Sequence, residues 1–315
     1  MSGSIVDQTT FLTMVRTTTE RSCARILIDS IRSFGGDLSH CPVWLFEACP
    51  QRAPCSSLEG MDVQVFPLSV PDTVRHNYFA DKVHACAQAE EMAIPRVQSL
   101  IWIDPACLII NPPLLFDLGQ SFDAAVRPVH IRNVGIPLKE PLDGFWKKIC
   151  ETVGVHDIQT TIETFVDAQR IRSYFNSHAF AINPLKGLLH QWFECFEVLI
   201  CDEEFQRDNC QDEIHQIFLH QAVFSALLVA RLDPKRVCVL PPDYNYPYNL
   251  HQSVPLDRRA AAFNDLVCIA YEDRSLDPNL VDDIDIHDLL RSWLSTHAAP
   301  NRSQDAAGDA ARFTN

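Results

Sequence analysis

Four apolar residues, Leu100 to Ile103, run into a single carboxylate, Asp104, and then into Pro105. A short apolar run that is rich in β-branched residues and bounded by turn signals predicts a strand buried on both faces. Such strands belong to sheets covered by helices on either side, so this segment restricts the chain to an α/β architecture. It also puts Asp104 just outside the carboxyl end of a strand, where open α/β sheets gather their ligands. The competing reading is that Asp104 only shapes the turn with Pro105, as Asp does before Pro in many loops.

The flanking pattern agrees with an alternating fold. Phe11 to Val15 reads as a first strand, and Thr17 and Thr18 stand where a hydroxyl caps the orphan amides of a following helix, expected over 20–34 and stopped at Gly35-Gly36. Pro42 to Phe46 and Val63 to Pro67 read as strands, Asn77 to Met92 as an amphipathic helix, and Cys107 to Ile110 as a second apolar strand after the break at Pro105. Further strands are expected at 123–126, within 175–182, at 237–240 and at 266–270, with helices over 185–199 and 212–230. The predicted fold is one mixed, mostly parallel sheet flanked by helices, in a single domain over 1–296. From His297 to Asn315 the chain is Ala, Asp, Ser, Asn and Arg with little to bury, which predicts a disordered tail.

Composition excludes some functions. A formal net charge of -15 disfavours phosphate backbones and anionic membranes, so no nucleic acid is expected as a partner. No stretch approaches 18 uninterrupted apolar residues, and Met1 to Val15 lacks a signal-peptide pattern; a cytoplasmic protein without a membrane span is expected. The twelve cysteines are scattered without a Cys-x-x-Cys pair, and are expected to be reduced, buried small hydrophobes. No Gly-rich phosphate loop opens any helix, which argues against other α/β nucleotide enzymes.

Five segments in order carry a resemblance. Tyr78-Phe79-Ala80-Asp81-Lys82 on a helix, Trp102-Ile103-Asp104 with Pro112-Pro113-Leu114-Leu115-Phe116 after it, Phe175-Asn176-Ser177-His178, His220-Gln221 on a later helix, and Leu240-Pro241-Pro242-Asp243-Tyr244-Asn245 together resemble the nucleotide-diphosphosugar transferases of the GT-A type. The resemblance spans roughly residues 11 to 272 and implies a glycosyltransferase acting on a nucleotide sugar such as a UDP-sugar or GDP-sugar, with an unknown acceptor. It places Thr17 and Thr18 near the base or ribose, Lys82 near the diphosphate, Asp104 on the ribose or a metal, and Asn176, Ser177 and Gln221 in the nucleotide-sugar site. Asp243 and Tyr244 fall on the acceptor side.

The chain also departs from that family. Its Asp-x-Asp element is reduced to Asp104, followed by Pro105 and Ala106, whereas Mn²⁺ or Mg²⁺ bridging a diphosphate wants several oxygen ligands. Asp104 alone remains as a metal ligand, and weak or absent metal dependence is expected. His178 stands where the family has a glycine and His220 where it has an acid. Both become candidate general bases, since imidazole titrates near the working pH. For His220, inside an apolar helix, a hydrogen-bonded structural role competes with that reading. The alternative function is a catalytically silent GT-A-like binding or scaffold module.

Overall fold

In the computed structural model the described residues are 5–93, 95 and 97–298. Helix α1 (Ile5–Gln8) leads into β1 (Thr9–Val15), α2 (Thr18–Phe34), β2 (Val43–Glu47), β3 (Val63–Pro67), α3 (Ala80–Met92), β4 (Ser99–Ile103) and β5 (Cys107–Ile109). After these come β6 (Ala124–Val126), α4 (Gly144–Val153), the strand pair β7 (Thr161–Glu163) and β8 (Arg170–Arg172), β9 (Ala179–Ile182), α5 (Leu188–Cys201), α6 (Glu203–Asn209) and α7 (Glu213–Arg231). Strands β10 (Val237–Val239), β11 (Tyr246–Pro247) and β12 (Cys268–Ala270) and helix α8 (Asp288–His297) close the described chain.

Seven strands form the main sheet in the order β10-β6-β9-β4-β1-β2-β3. Neighbouring strands are parallel except at β9, which runs antiparallel to both β4 and β6. β1 and β4 are buried along their whole length, as expected of central strands covered on both faces. Their alternate residues feed two cores. Leu12, Met14, Leu100, Trp102, Phe180 and Ile182 face α3, α4, α5 and α7, whereas Phe11, Val15, Ile101, Ile103, Ala179 and Ala181 face α2.

The expected mostly parallel sheet flanked by helices is thus present, and a smaller three-stranded sheet accompanies it. The apolar run after Pro105 becomes β5, which leaves the main sheet to pair antiparallel with β12, itself parallel to β11. Helices α4, α6 and α8 and the β7–β8 pair were not expected from sequence. Of the tail expected from His297 onward, His297 ends α8 and Ala298 caps it, while residues 299–315 lie outside the described residues. Although no uninterrupted apolar stretch marks it, α7 is long and apolar enough to cross a membrane by length and composition; its residues Leu219 to Leu228 are buried in the core against the sheet. Cys86, Cys107 and Cys268 are fully buried, and burial pushes their thiols up, that of Cys268 to about 12.

Candidate functional site

Trp102 and Asp104 are two residues apart at the end of a strand, so both side chains leave the same face of the sheet. The Trp102 indole Nε1 donates to Asp104 Oδ1 at 2.6 Å. On the same face lies α3, whose Lys82 is only 4% exposed and reaches Asp104 from below. Its Nζ donates to Asp104 Oδ1 at 2.9 Å, to Oδ2 at 3.0 Å and to the Ser177 carbonyl at 2.6 Å. An ammonium has three protons, and these partners use them all. The lysine therefore compensates Asp104, with its three protons committed within the protein.

The loop before β9 completes the mouth. Because β9 is antiparallel, its amino end meets the carboxyl end of β4, and Asp104 N donates to the His178 carbonyl at 2.8 Å. Asn176 Oδ1 accepts from His178 N at 2.7 Å and from Asn245 Nδ2 at 2.8 Å, while Gln221 Oε1 accepts from Ser177 N at 3.1 Å. Asn176, Ser177 and Gln221 are buried, and these bonds hold the loop in shape. What the loop exposes is His178, whose side chain is 33% exposed, with Nε2 3.9 Å from Asp104 Oδ2 and 3.5 Å from Glu272 Oε1.

His220 is placed otherwise. Its Nδ1 lies 2.8 Å from the Ile217 carbonyl and therefore donates, which leaves Nε2 to accept from the Ser177 hydroxyl at 3.0 Å. The ring stacks on Phe79 with centroids 4.0 Å apart. Burial, then the positive charge of Lys82, pushes this imidazole well below its ordinary range. With both nitrogens satisfied inside the protein, His220 positions the loop, and the structural reading of this residue is the one its geometry supports.

The remaining candidates lie apart from this cluster. Thr17 caps α2, its hydroxyl accepting from Glu20 N at 3.1 Å, and Thr18 is the exposed first residue of that helix at the neighbouring strand end. Tyr244 is buried and its hydroxyl accepts from Leu115 N at 3.0 Å, so its polar atom is committed to the fold. Asp243 holds the main chain of Val267 and Cys268 through its carbonyl and acts on Arg127 through space. Sequence reasoning missed the bond of Trp102 to Asp104, that of Asn245 to Asn176 and the place of Glu272 beside His178. The spacing of Trp102 from Asp104 was a usable signal, and Glu272, just past β12, is again an acid at a strand end.

The donor set does not suit a divalent cation. A hard dication wants several oxygens, and both Asp104 oxygens already face an ammonium, with only an imidazole and a more distant carboxylate beside them. Among the described residues no group of three or more His, Cys, Asp or Glu could hold a metal.

Compared with solved structures, the chain superposes on WbbM, a bifunctional glycosyltransferase, over 87% of its own length with a TM-score of 0.53 and 13% identity. The fold is of the GT-A glycosyltransferase type. The chain spans about half of WbbM, 48% of its length. LgtC, a galactosyltransferase solved with donor and acceptor sugar analogs, matches 84% of this chain and 87% of its own, at 13% identity and a TM-score of 0.47. No family model and no curated protein matches the sequence. In this GT-A fold the Asp104 mouth occupies the crevice outside the carboxyl ends of β1 and β4, the ligand position of open α/β sheets.

Proposed function

We propose that this protein transfers a sugar from a nucleotide diphosphate donor to an acceptor hydroxyl without a bound divalent cation. The observation that carries the reading is the Lys82–Asp104 pair at the mouth of β4, which sets a fixed cation against the one acid left of the Asp-x-Asp element. Neutralised by Lys82, the Asp104 carboxylate no longer repels a diphosphate and keeps lone pairs for ribose or sugar hydroxyls. His178 is the group with an exposed imidazole at that mouth. In this scheme its Nε2 takes the proton of the acceptor hydroxyl as that oxygen bonds to the anomeric carbon, while the bond from that carbon to the diphosphate breaks and the nucleotide leaves. Glu272, 3.5 Å away, stabilises the imidazolium so formed. Thr18 and the exposed Tyr78 ring line the side where the nucleoside would lie.

A second reading, binding without transfer, is favoured by one observation: Asp104 and His220 are both satisfied within the protein. The test is a melting-temperature screen with UDP-, GDP- and CDP-sugars, with and without EDTA, followed by release of free nucleotide. The proposal expects stabilisation that EDTA leaves unchanged and that Asp104→Asn weakens. It also expects nucleotide release to fall about 100-fold or more in His178→Gln, the usual scale of a lost general base, and to change little in His220→Gln. Stabilisation with no release supports the binding module, and silence across the panel sinks both readings.

A further inference from the structure

Arg127 follows β6, and its carbonyl accepts from Asn176 N at 2.8 Å, so it stands beside the loop that presents His178. The residue is 5% exposed, and its Nε is buried without a hydrogen-bond partner among the described residues. The guanidinium lies over the Phe165 ring at 5.0 Å and forms part of the wall of a cleft of about 390 Å³, shared with Pro242 and with an ion pair at the rim, Arg258 to Glu163 at 2.7 Å. A buried cation with an unpaired donor is expensive to keep, because desolvation is repaid only by a counter-charge or a full set of hydrogen bonds. Asp243 attracts it through space without an ion pair among the described residues, and burial pulls the guanidinium down only to about 10, so it is charged at neutral pH. Next to it, His130 is buried with neither ring nitrogen partnered, and burial, then Arg127 and His178, hold that imidazole well below its ordinary range. Unpartnered polar atoms of Arg127 and His130 therefore lie close together, near the loop that presents His178.

We infer that this cleft is an acceptor subsite for an oxyanion, the carboxylate or phosphate of the molecule that receives the sugar, held by the planar fork of Arg127. A guanidinium fork matches two oxygens of a carboxylate or phosphate at once, and a neutral sugar gives it nothing comparable. Arg258 offsets the charge that Glu163 would otherwise set against an incoming anion, which leaves Asp257 as the remaining acid of the lining. The acceptor role rests on the sugar-transfer reading; the oxyanion site itself does not.

Calorimetric titration of the full chain with methyl glucuronide, glucose 6-phosphate and neutral methyl glucoside tests it. One anionic sugar should bind at least tenfold more tightly than the glucoside, and which of the two does so identifies the carboxylate or the phosphate as the anion. Arg127→Met should lose at least tenfold of that affinity while its stabilisation by nucleotide sugar stays unchanged. Arg258→Gln, at the rim, should weaken the anion several-fold and serves if the buried substitution prevents folding. Equal binding of charged and neutral sugars, or unchanged anion affinity in both variants, overturns the inference. Anion binding without any nucleotide-sugar binding overturns the acceptor role, and then the transfer reading fails while the oxyanion site stands.

Discussion

Replacing Lys82 with Met removes the cation that faces Asp104 and keeps most of the apolar stem that α3 packs into the core. For unit charges about 3 Å apart, Coulomb attraction at an effective dielectric of about 20 is roughly 5 kcal/mol, and desolvation of both groups takes back a part of it. Deleting one partner of a buried pair costs about 3–5 kcal/mol. The Lys82 side chain is 5% exposed but that of Asp104 is 21% exposed, so water rescues some of the stranded carboxylate. We therefore expect the lower end, about 3 kcal/mol, a large share of the roughly 5–15 kcal/mol that holds a domain folded. Urea unfolding followed by tryptophan fluorescence reads this as a lower midpoint at unchanged slope. The pair also predicts coupling: Asp104→Asn in the Lys82→Met background should recover about 2 kcal/mol, since no uncompensated charge is left. A loss below about 0.5 kcal/mol in Lys82→Met, within the range of ordinary surface substitutions, would refute the reasoning. So would a double variant no more stable than the single one.

Stability should fall with acid, because burial first and neighbouring charges second hold His220 and His130 below the ordinary 6.5. Below that pH the unfolded imidazoles take protons that the folded ones refuse, so each costs about 1.3 kcal/mol between about pH 7 and pH 5.5; a flat urea midpoint across that window contradicts the assignment, and His220→Gln should remove one histidine's share. Asp123, 2% exposed, accepts from Arg236 Nε at 2.7 Å and Nη2 at 2.9 Å and faces Lys186 at 3.0 Å. Asp123→Asn should cost about 3 kcal/mol, measured by calorimetric melting, and a change below about 1 kcal/mol would mean that these cations do not need it. At Gly36, φ is +58° and an added Cβ would sit 2.9 Å from the Pro112 ring. Gly36→Ala should lower stability by about 1–2 kcal/mol in urea unfolding, and an unchanged midpoint would show that the turn relaxes freely.

Periodicity found the elements whose burial is one-sided or complete. The helix expected over 20–34 is α2 and the one over 212–230 is α7, each displaced by one or two residues at its ends, and the parallel strands β1 to β4 lie where apolar runs placed them. Helix α4 was missed although its signals were present: Asp143 caps Trp146 N at 2.9 Å, Phe145, Trp146, Ile149, Cys150 and Val153 face inward, and Gly154 ends it in the left-handed region. The segment before it, with prolines at 128, 137 and 141, masked that pattern. The direction of β9 was not legible, since an apolar run reads the same way in either orientation. At the site, residue type was legible and availability was not. Lys82, Asp104, His178 and His220 do converge, but nothing in a sequence says that the Lys82 ammonium turns inward, that His220 is satisfied by Ser177 and Ile217, or that His178 alone faces out. Apart from Ile217, three residues from His220, those outcomes depend on partners between 43 and 95 residues away.

The reversed strand β9 has a consequence for how the crevice can come apart. The parallel half, β3-β2-β1-β4, joins β6 and β10 only through β9 in the main sheet. If β9 lets go of β4, the loop at Asn176 to His178 leaves with it. Lys82 then loses the Ser177 carbonyl, and the Asp104 backbone N–H loses the His178 carbonyl to which it donates. The half-sheet that carries β1 and β4 would survive such an opening while the crevice ceased to exist. Hydrogen exchange at the β4–β9 ladder would then report on competence for binding, apart from global unfolding, and a ligand that bridges the crevice would slow exchange there first.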